Sequence, residues 1–103
     1  MTAWLDSKRH RIEAFCKKWK IRELALFGSA LRDDFRPDSD VDFLVSFSPS
    51  AAWGLLDHAA MERELAEIVG RSVDLVSRKA VERSHNWIRR RAILESAQVL
   101  YAA

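Results

Sequence analysis

Two apolar runs, Glu23-Leu24-Ala25-Leu26-Phe27 and Val41-Asp42-Phe43-Leu44-Val45, are joined by a polar segment that opens on Gly28-Ser29 and closes on Asp40. Short apolar runs bounded by Gly, Pro, Asp and Ser read as strands of a sheet, with a small-residue turn after the first. Strand side chains repeat with period two, so Asp40 and Asp42 project from one face while Val41 and Phe43 take the other. Their alpha carbons lie about 6.6 Å apart by strand rise, close enough for both carboxylates to converge on one ion. Gly28 tolerates backbone angles that penalise a side chain, and Ser29 offers a hydroxyl and an amide at the expected start of a short helix.

A turn suited to phosphates beside paired carboxylates suited to a metal points to nucleotide chemistry. A nucleoside triphosphate brings several negative charges, and bare carboxylates would repel it. Mg²⁺ is held well by one or two carboxylates together with substrate phosphates, and it bridges attacking and departing oxygens. A third acid, Asp74, sits in Arg71-Ser72-Val73-Asp74-Leu75-Val76, a further short strand after Gly70. If that strand lies beside the one carrying Asp40 and Asp42, Asp74 completes an acidic cluster and either holds the ion or takes a proton from an acceptor hydroxyl. The bland alternative is that Asp40 and Asp42 solubilise an edge strand and Asp74 faces water.

These residues resemble the minimal nucleotidyltransferases of the polymerase-beta-like superfamily, small proteins often encoded beside a HEPN-domain ribonuclease toxin. That family carries Gly-Ser, ten arbitrary residues, then Asp-x-Asp, matched here by Gly28, Ser29, Asp40 and Asp42, with its third acid matched by Asp74. The resemblance spans about residues 5 to 100. It implies an α/β (α+β) fold, a small mixed sheet with flanking helices, and one domain over 1–103. It further implies that Gly28 and Ser29 bind the triphosphate of ATP, that Asp40, Asp42 and Asp74 organise Mg²⁺, and that AMP passes to a hydroxyl. In characterised relatives the acceptor is a tyrosine of the HEPN toxin, which the transferase neutralises as an antitoxin within a hetero-oligomer. Many relatives continue the motif with Arg-Gly, whereas Arg32 is followed here by Asp33, which adds negative charge near the expected phosphate path. Arg32, a short helical turn beyond Ser29, is the first candidate for a guanidinium on the phosphates, with pairing to a neighbouring acid as its other reading.

A chain of 103 residues leaves little room for a separate substrate module beyond one core, which argues against a processive polymerase and for a partner that shares recognition. A formal charge of +2 permits nucleic-acid contact without demanding it. The densest basic run, Arg89-Arg90-Arg91, reads first as a solvated or partner-facing helix surface and second as a phosphate contact. Cys16 is the sole cysteine, and His10, His58 and His85 are widely separated, so neither a disulfide nor a Cys/His zinc site is expected. Charged residues interrupt the N-terminal segment and no long apolar span follows, so the expected setting is cytoplasmic, away from any membrane.

The remaining pattern predicts helices over 3–19, 51–69 and 86–101. Leu5, Ile12, Phe15 and Trp19 share a face of the first, and Trp4 and Trp19 are read as packing residues. Leu55, Leu56, Ala59, Leu65, Ile68 and Val69 are expected to supply core contacts from the second, with Gly70 as its end cap. Ile88, Ile93, Leu94, Ala97 and Leu100 are the apolar anchors of the third, some of them facing a partner. Beside the catalytic reading stand an antitoxin acting by occlusion alone, a transferase acting on a small molecule or RNA end, and a simple nucleic-acid-binding module.

Overall fold

The computed structural model describes residues 3–28 and 40–103, with side chains from residue 5 onward. Helices α1 (Ala3–Asp6) and α2 (Arg9–Lys18) precede strand β1 (Ile21–Phe27), and β2 (Val41–Phe47) leads to the long helix α3 (Leu55–Val69). Strand β3 (Val73–Ser77), helices α4 (Arg78–Glu82) and α5 (Trp87–Ser96), and strand β4 (Gln98–Ala102) complete the order. The four strands form one mixed sheet in the order β3-β2-β1-β4. Antiparallel pairs join β1 to β2 and to β4, while β2 and β3 run parallel across the α3 crossover. This is the small mixed sheet with flanking helices that the sequence implies.

Alternation along the strands assigns two faces. Leu24 and Leu26 of β1, Val41, Phe43 and Val45 of β2, and Leu75 of β3 pack against Ile12, Phe15 and Cys16 of α2 and Met61, Leu65, Ile68 and Val69 of α3. Ala25, Phe27 and Leu44 turn the other way, against Val81 of α4 and Ile93 of α5. Burying each large apolar side chain contributes about 2 to 3 kcal/mol, so the larger α2/α3 cluster dominates cohesion. Asp42 shares parity with Leu44, and Asp74 with Val76, which places both acids on the α4/α5 face.

Three boundaries depart from the sequence reading. The first predicted helix is two, α1 and α2, with Lys8 in a non-helical conformation between them; Trp4's side chain lies outside the described ones. Helix α3 starts at Leu55 because Gly54 is extended and its N–H donates to Asp57 Oδ2 at 3.0 Å, fixing the first turn there. Leu55 and Leu56 therefore ride on an exposed first turn, 90% and 87% accessible, and do not join the core as expected. At its other end Gly70 adopts φ +74° and caps the helix as predicted. The third helix stops at Ser96, and the predicted helical tail 97–101 is instead the edge strand β4. Ala97, Gln98 and Leu100 suit a helix locally, but the open edge of β1 offers Ala25 and Leu26 as ladder partners for Val99 and Gln98, and tertiary pairing overrides propensity. Ile88 is likewise exposed, not an anchor, whereas Ile93 is buried.

The outer edge of β3 is closed by side chains of α3. Leu75 N–H donates to Glu62 Oε2 at 2.9 Å, and His58 Nε2 lies 2.7 Å from the Leu75 carbonyl oxygen. Both polar groups of one edge residue are thus engaged, which blunts the edge against further strand pairing. His58 accordingly has a structural role. Trp53, before α3, meets Trp19 edge to face at 5.2 Å, and its indole N–H donates to the Trp19 carbonyl at 2.8 Å. Trp19 is a packing residue, as read from the sequence, and its own N–H donates to Glu64 Oε2 at 3.0 Å.

Candidate active site

The parallel register of β2 and β3 sets Val41 beside Val73, Asp42 beside Asp74 and Phe43 beside Leu75. Neighbouring strands lie about 4.8 Å apart, so the two aspartates stand side by side on one face at one end of the sheet. Asp40 directly precedes β2 and is exposed, with the same parity as Asp42. Strand adjacency, the condition on which the acidic cluster depended, is present.

Phe27 pairs with Asp42 across the β1–β2 ladder, which brings Gly28 to the other flank of Asp42. Gly28 has φ +77°, and a Cβ built on it would fall 2.5 Å from Asp42 Oδ2. Two independent constraints, the left-handed backbone and the close carboxylate, therefore require glycine here. Ser29 and Arg32, the other residues expected to bind phosphate, lie outside the described residues, as do Asp33, Asp34, Arg36 and Asp38.

The Asp42 carboxyl is pushed above the usual carboxylate range, first by burial, then by the charges of Asp74 and Asp40, against the opposing pull of Arg89. The raised proton affinity marks a place where negative charge is concentrated and partly desolvated. Among the described residues no three acids, histidines or cysteines stand close enough to enclose an ion by themselves. The donors at this cluster are all carboxylate oxygens, which suits a hard divalent cation that keeps open positions for water or phosphate.

Arg89 is the residue that sequence reasoning undervalued. Its backbone N–H donates to the Asn86 side chain at 3.1 Å in the first turn of α5, and it lies four residues before buried Ile93, on the helix face that meets the sheet. The spacing to Ile93 was the available signal. Successive residues of the triple-arginine run diverge by about 100° around the helix axis, and their partners differ accordingly. Arg90 Nη1 donates to the Ser84 carbonyl at 3.2 Å, and Arg91 Nε pairs with Glu95 at 2.9 Å. Within the run Arg89 acts on the acids, while Arg90 is tied to the Ser84 carbonyl and Arg91 to Glu95.

A groove of about 680 Å³ lies between α2 and α3 and is lined by Phe15, Lys18, Glu64 and Ile68. It sits on the opposite face of the sheet from Asp42 and Asp74, so size does not locate the chemistry here. Cys16 is buried beneath that face, its thiol pushed up to about 12 by burial and by Glu13, which makes it an inert packing group.

A family profile described as a nucleotidyltransferase domain matches residues 9–100. The chain belongs to that family. It is a minimal nucleotidyltransferase of the polymerase-beta-like superfamily, and hence an enzyme that transfers nucleotidyl groups. A proposed protein adenylyltransferase of Methanocaldococcus jannaschii is 31% identical over 78 residues, 76% of this chain and 75% of that protein. The solved structure of a proposed minimal nucleotidyltransferase, 31% identical, superposes with a TM-score of 0.70 over 91% of this chain and 90% of that one. A tri-AMPylated HEPN toxin in complex with an MNT antitoxin, from Shewanella oneidensis, gives a TM-score of 0.62 at 18% identity, covering 94% of this chain and 71% of that one. That last likeness is one of fold. No helix among the described residues is long and apolar enough to cross a membrane.

Proposed function

We propose that this nucleotidyltransferase moves AMP from ATP, with Mg²⁺, onto a hydroxyl group, and that the acceptor is a tyrosine of a HEPN-domain toxin for which the chain is the antitoxin. The observation that carries the reading is the side-by-side register of Asp42 and Asp74 with Gly28 packed against Asp42. The kinship with a proposed protein adenylyltransferase supports AMP as the transferred group, and the fold shared with an antitoxin bound to an AMPylated HEPN toxin supports the acceptor.

Asp40, Asp42 and Asp74 would hold the magnesium, which when bound supplies charge neutralisation for the polyphosphate and polarises the reacting phosphoryl group. Gly28 and the segment that follows it are assigned to the β- and γ-phosphates, since only a residue without a side chain lets backbone approach the Asp42 carboxylate so closely. Asp74, on the far flank of Asp42, receives the proton of the acceptor hydroxyl. That oxygen forms its bond to the α-phosphorus as the bond from the α-phosphorus to the bridging oxygen breaks and pyrophosphate leaves. Arg89 balances negative charge beside Asp42.

The test is an Asp74→Asn variant, assayed for nucleotide binding and for attachment of AMP to a co-expressed HEPN protein by intact mass. Nucleotide binding should persist while transfer falls about 10²- to 10⁴-fold. Transfer that continues at the wild-type rate would remove Asp74 from the chemistry.

A second reading, inhibition by occlusion without transfer, is favoured by one observation: Leu55, Leu56, Trp87 and Ile88 are all more than half exposed. Large apolar side chains in that state suit a protein partner. On this reading Leu55→Ser/Leu56→Ser abolishes neutralisation of the toxin and Asp40→Ala/Asp42→Ala spares it.

A further inference from the structure

The face of the sheet that carries the acids holds a second feature. A cavity of about 130 Å³ opens between α4, α5 and β3, with Val76, Val81 and Ile93 in its lining and Ser84, Arg89 and Arg90 contributing polar groups. Val76 lies two residues beyond Asp74 on the same strand and face. Strand rise separates their alpha carbons by about 6.6 Å, so the cavity lies within one side-chain length of Asp74. Arg89 belongs to both places, lining the cavity while acting on Asp42. Arg90 is held at the cavity by its bond to the Ser84 carbonyl.

The order of groups across the sheet gives this cavity a direction. Gly28 flanks Asp42 on the β1 side and Asp74 flanks it on the β3 side. An in-line displacement at phosphorus places the entering oxygen opposite the leaving one. With the phosphates assigned to the Gly28 side, the entering hydroxyl arrives from the β3 side, where the cavity lies.

We infer that the cavity bounded by Val76, Val81, Ile93 and Arg90 is the acceptor subsite, and that it takes a tyrosine side chain carried on an acidic stretch of polypeptide. This rests on the transfer reading above and adds to it the place and the chemistry of acceptor recognition. The volume admits one side chain and is small for a base with its sugar. Its apolar walls suit the ring, and a ring seated on Val76 points its hydroxyl at Asp74. Two guanidinium groups at the cavity favour carboxylates on the residues flanking the tyrosine. An RNA end, polyanionic and bulkier, does not match apolar walls of this size.

The experiment is an amide ¹H–¹⁵N titration of the full chain, with Mg²⁺ and a non-hydrolysable ATP analogue present, using acetyl-Glu-Tyr-Glu-amide as probe and acetyl-Lys-Tyr-Lys-amide as control. The acidic peptide should shift Val76, Val81, Ser84 and Ile93 and bind at least tenfold more tightly than the basic one. Ala80→Trp, a substitution at an exposed residue lining the cavity, should remove those shifts while the amides of β1 and β2 stay in place, showing that the variant is folded. Arg90→Glu should reverse the preference between the two peptides. Peptide shifts that are absent, lie elsewhere, or survive Ala80→Trp would overturn the subsite, as would shifts at these residues from an oligoribonucleotide in place of the peptide. The nucleotide analogue reports separately on the parent reading: its Mg²⁺-dependent shifts at Gly28 and Asp42 should vanish in Asp40→Ala/Asp42→Ala. If they never occur the transfer reading fails, and if they occur without peptide binding only the subsite fails.

Discussion

Replacing Gly28 with alanine separates a backbone cost from a site cost, because the chain contains its own control. Gly28 and Gly70 have nearly the same backbone angle, φ +77° and +74°, so either alanine substitution forces a side chain into the left-handed region at about 1 to 2 kcal/mol. They differ in surroundings. A Cβ at Gly70 meets nothing within 4 Å, whereas one at Gly28 falls 2.5 Å from Asp42 Oδ2 and must push that carboxylate aside. Driving a side chain off its rotamer costs about 0.5 to 1.5 kcal/mol. Gly28→Ala is therefore expected to destabilise by about 1 kcal/mol more than Gly70→Ala, and the excess should disappear in an Asp42→Ala background. Urea unfolding followed by circular dichroism reads this as a midpoint difference of about 0.3 to 1 M at the slopes usual for small domains. Equal costs at the two glycines, or an excess that persists once the Asp42 carboxylate is gone, would refute the close packing of Gly28 on Asp42.

The raised proton affinity of Asp42 fixes the sign of a pH effect. The folded state holds that proton more tightly than the unfolded chain, so the charged cluster costs stability above the folded titration point, and the cost fades as pH falls through it. Asp42→Asn should accordingly raise the urea midpoint at neutral pH, with no gain in acid; a gain independent of pH would contradict the charge argument. Glu62→Ala leaves the Leu75 amide without its acceptor, so about 1 to 3 kcal/mol of stability and much of that amide's protection from hydrogen exchange should be lost; unchanged protection would show that another group serves the edge. Leu55→Ser/Leu56→Ser should change stability by under about 0.5 kcal/mol, since both side chains are already in water, while weakening capture of a HEPN partner in a pull-down. A large fall in melting temperature would place those leucines in the core after all.

The fold was most legible where strand alternation and turn residues agree. Leu24-Ala25-Leu26-Phe27 and Val41 to Val45 read as strands because each is a short, mostly apolar run between polar and small-residue punctuation marks, and both lie in the sheet. The Asp40-Val41-Asp42 spacing also carried real geometric content, since period two sets both acids on one face. What could not be read was which strand lies beside which. The Asp42–Asp74 register follows from α3 folding back across Phe43 and Leu75, a long-range packing event with no local mark in the chain. Strand β4 was missed for the same reason: residues 97–101 are locally compatible with helix, and only the vacant edge of β1 decides otherwise. Leu55 and Leu56 were misplaced because helical periodicity was extended through Gly54, whose cap restarts the helix with both leucines outside the packed stripe. Arg89 was hidden inside a run of three like residues, and only its spacing from Ile93 distinguishes it from Arg91.

The central claim is that Asp40, Asp42 and Asp74 serve the transfer of AMP to a hydroxyl. It is tested most directly by incubating the protein, ATP and Mg²⁺ with an extract of the source cells, using ATP labelled at the α-phosphate in one arm and at the γ-phosphate in the other. The α-label should enter a protein band, the γ-label should not, and Asp40→Ala/Asp42→Ala, shown to be folded, should label nothing. Equal labelling by the folded aspartate variant, or γ-label in the same band, would contradict the account.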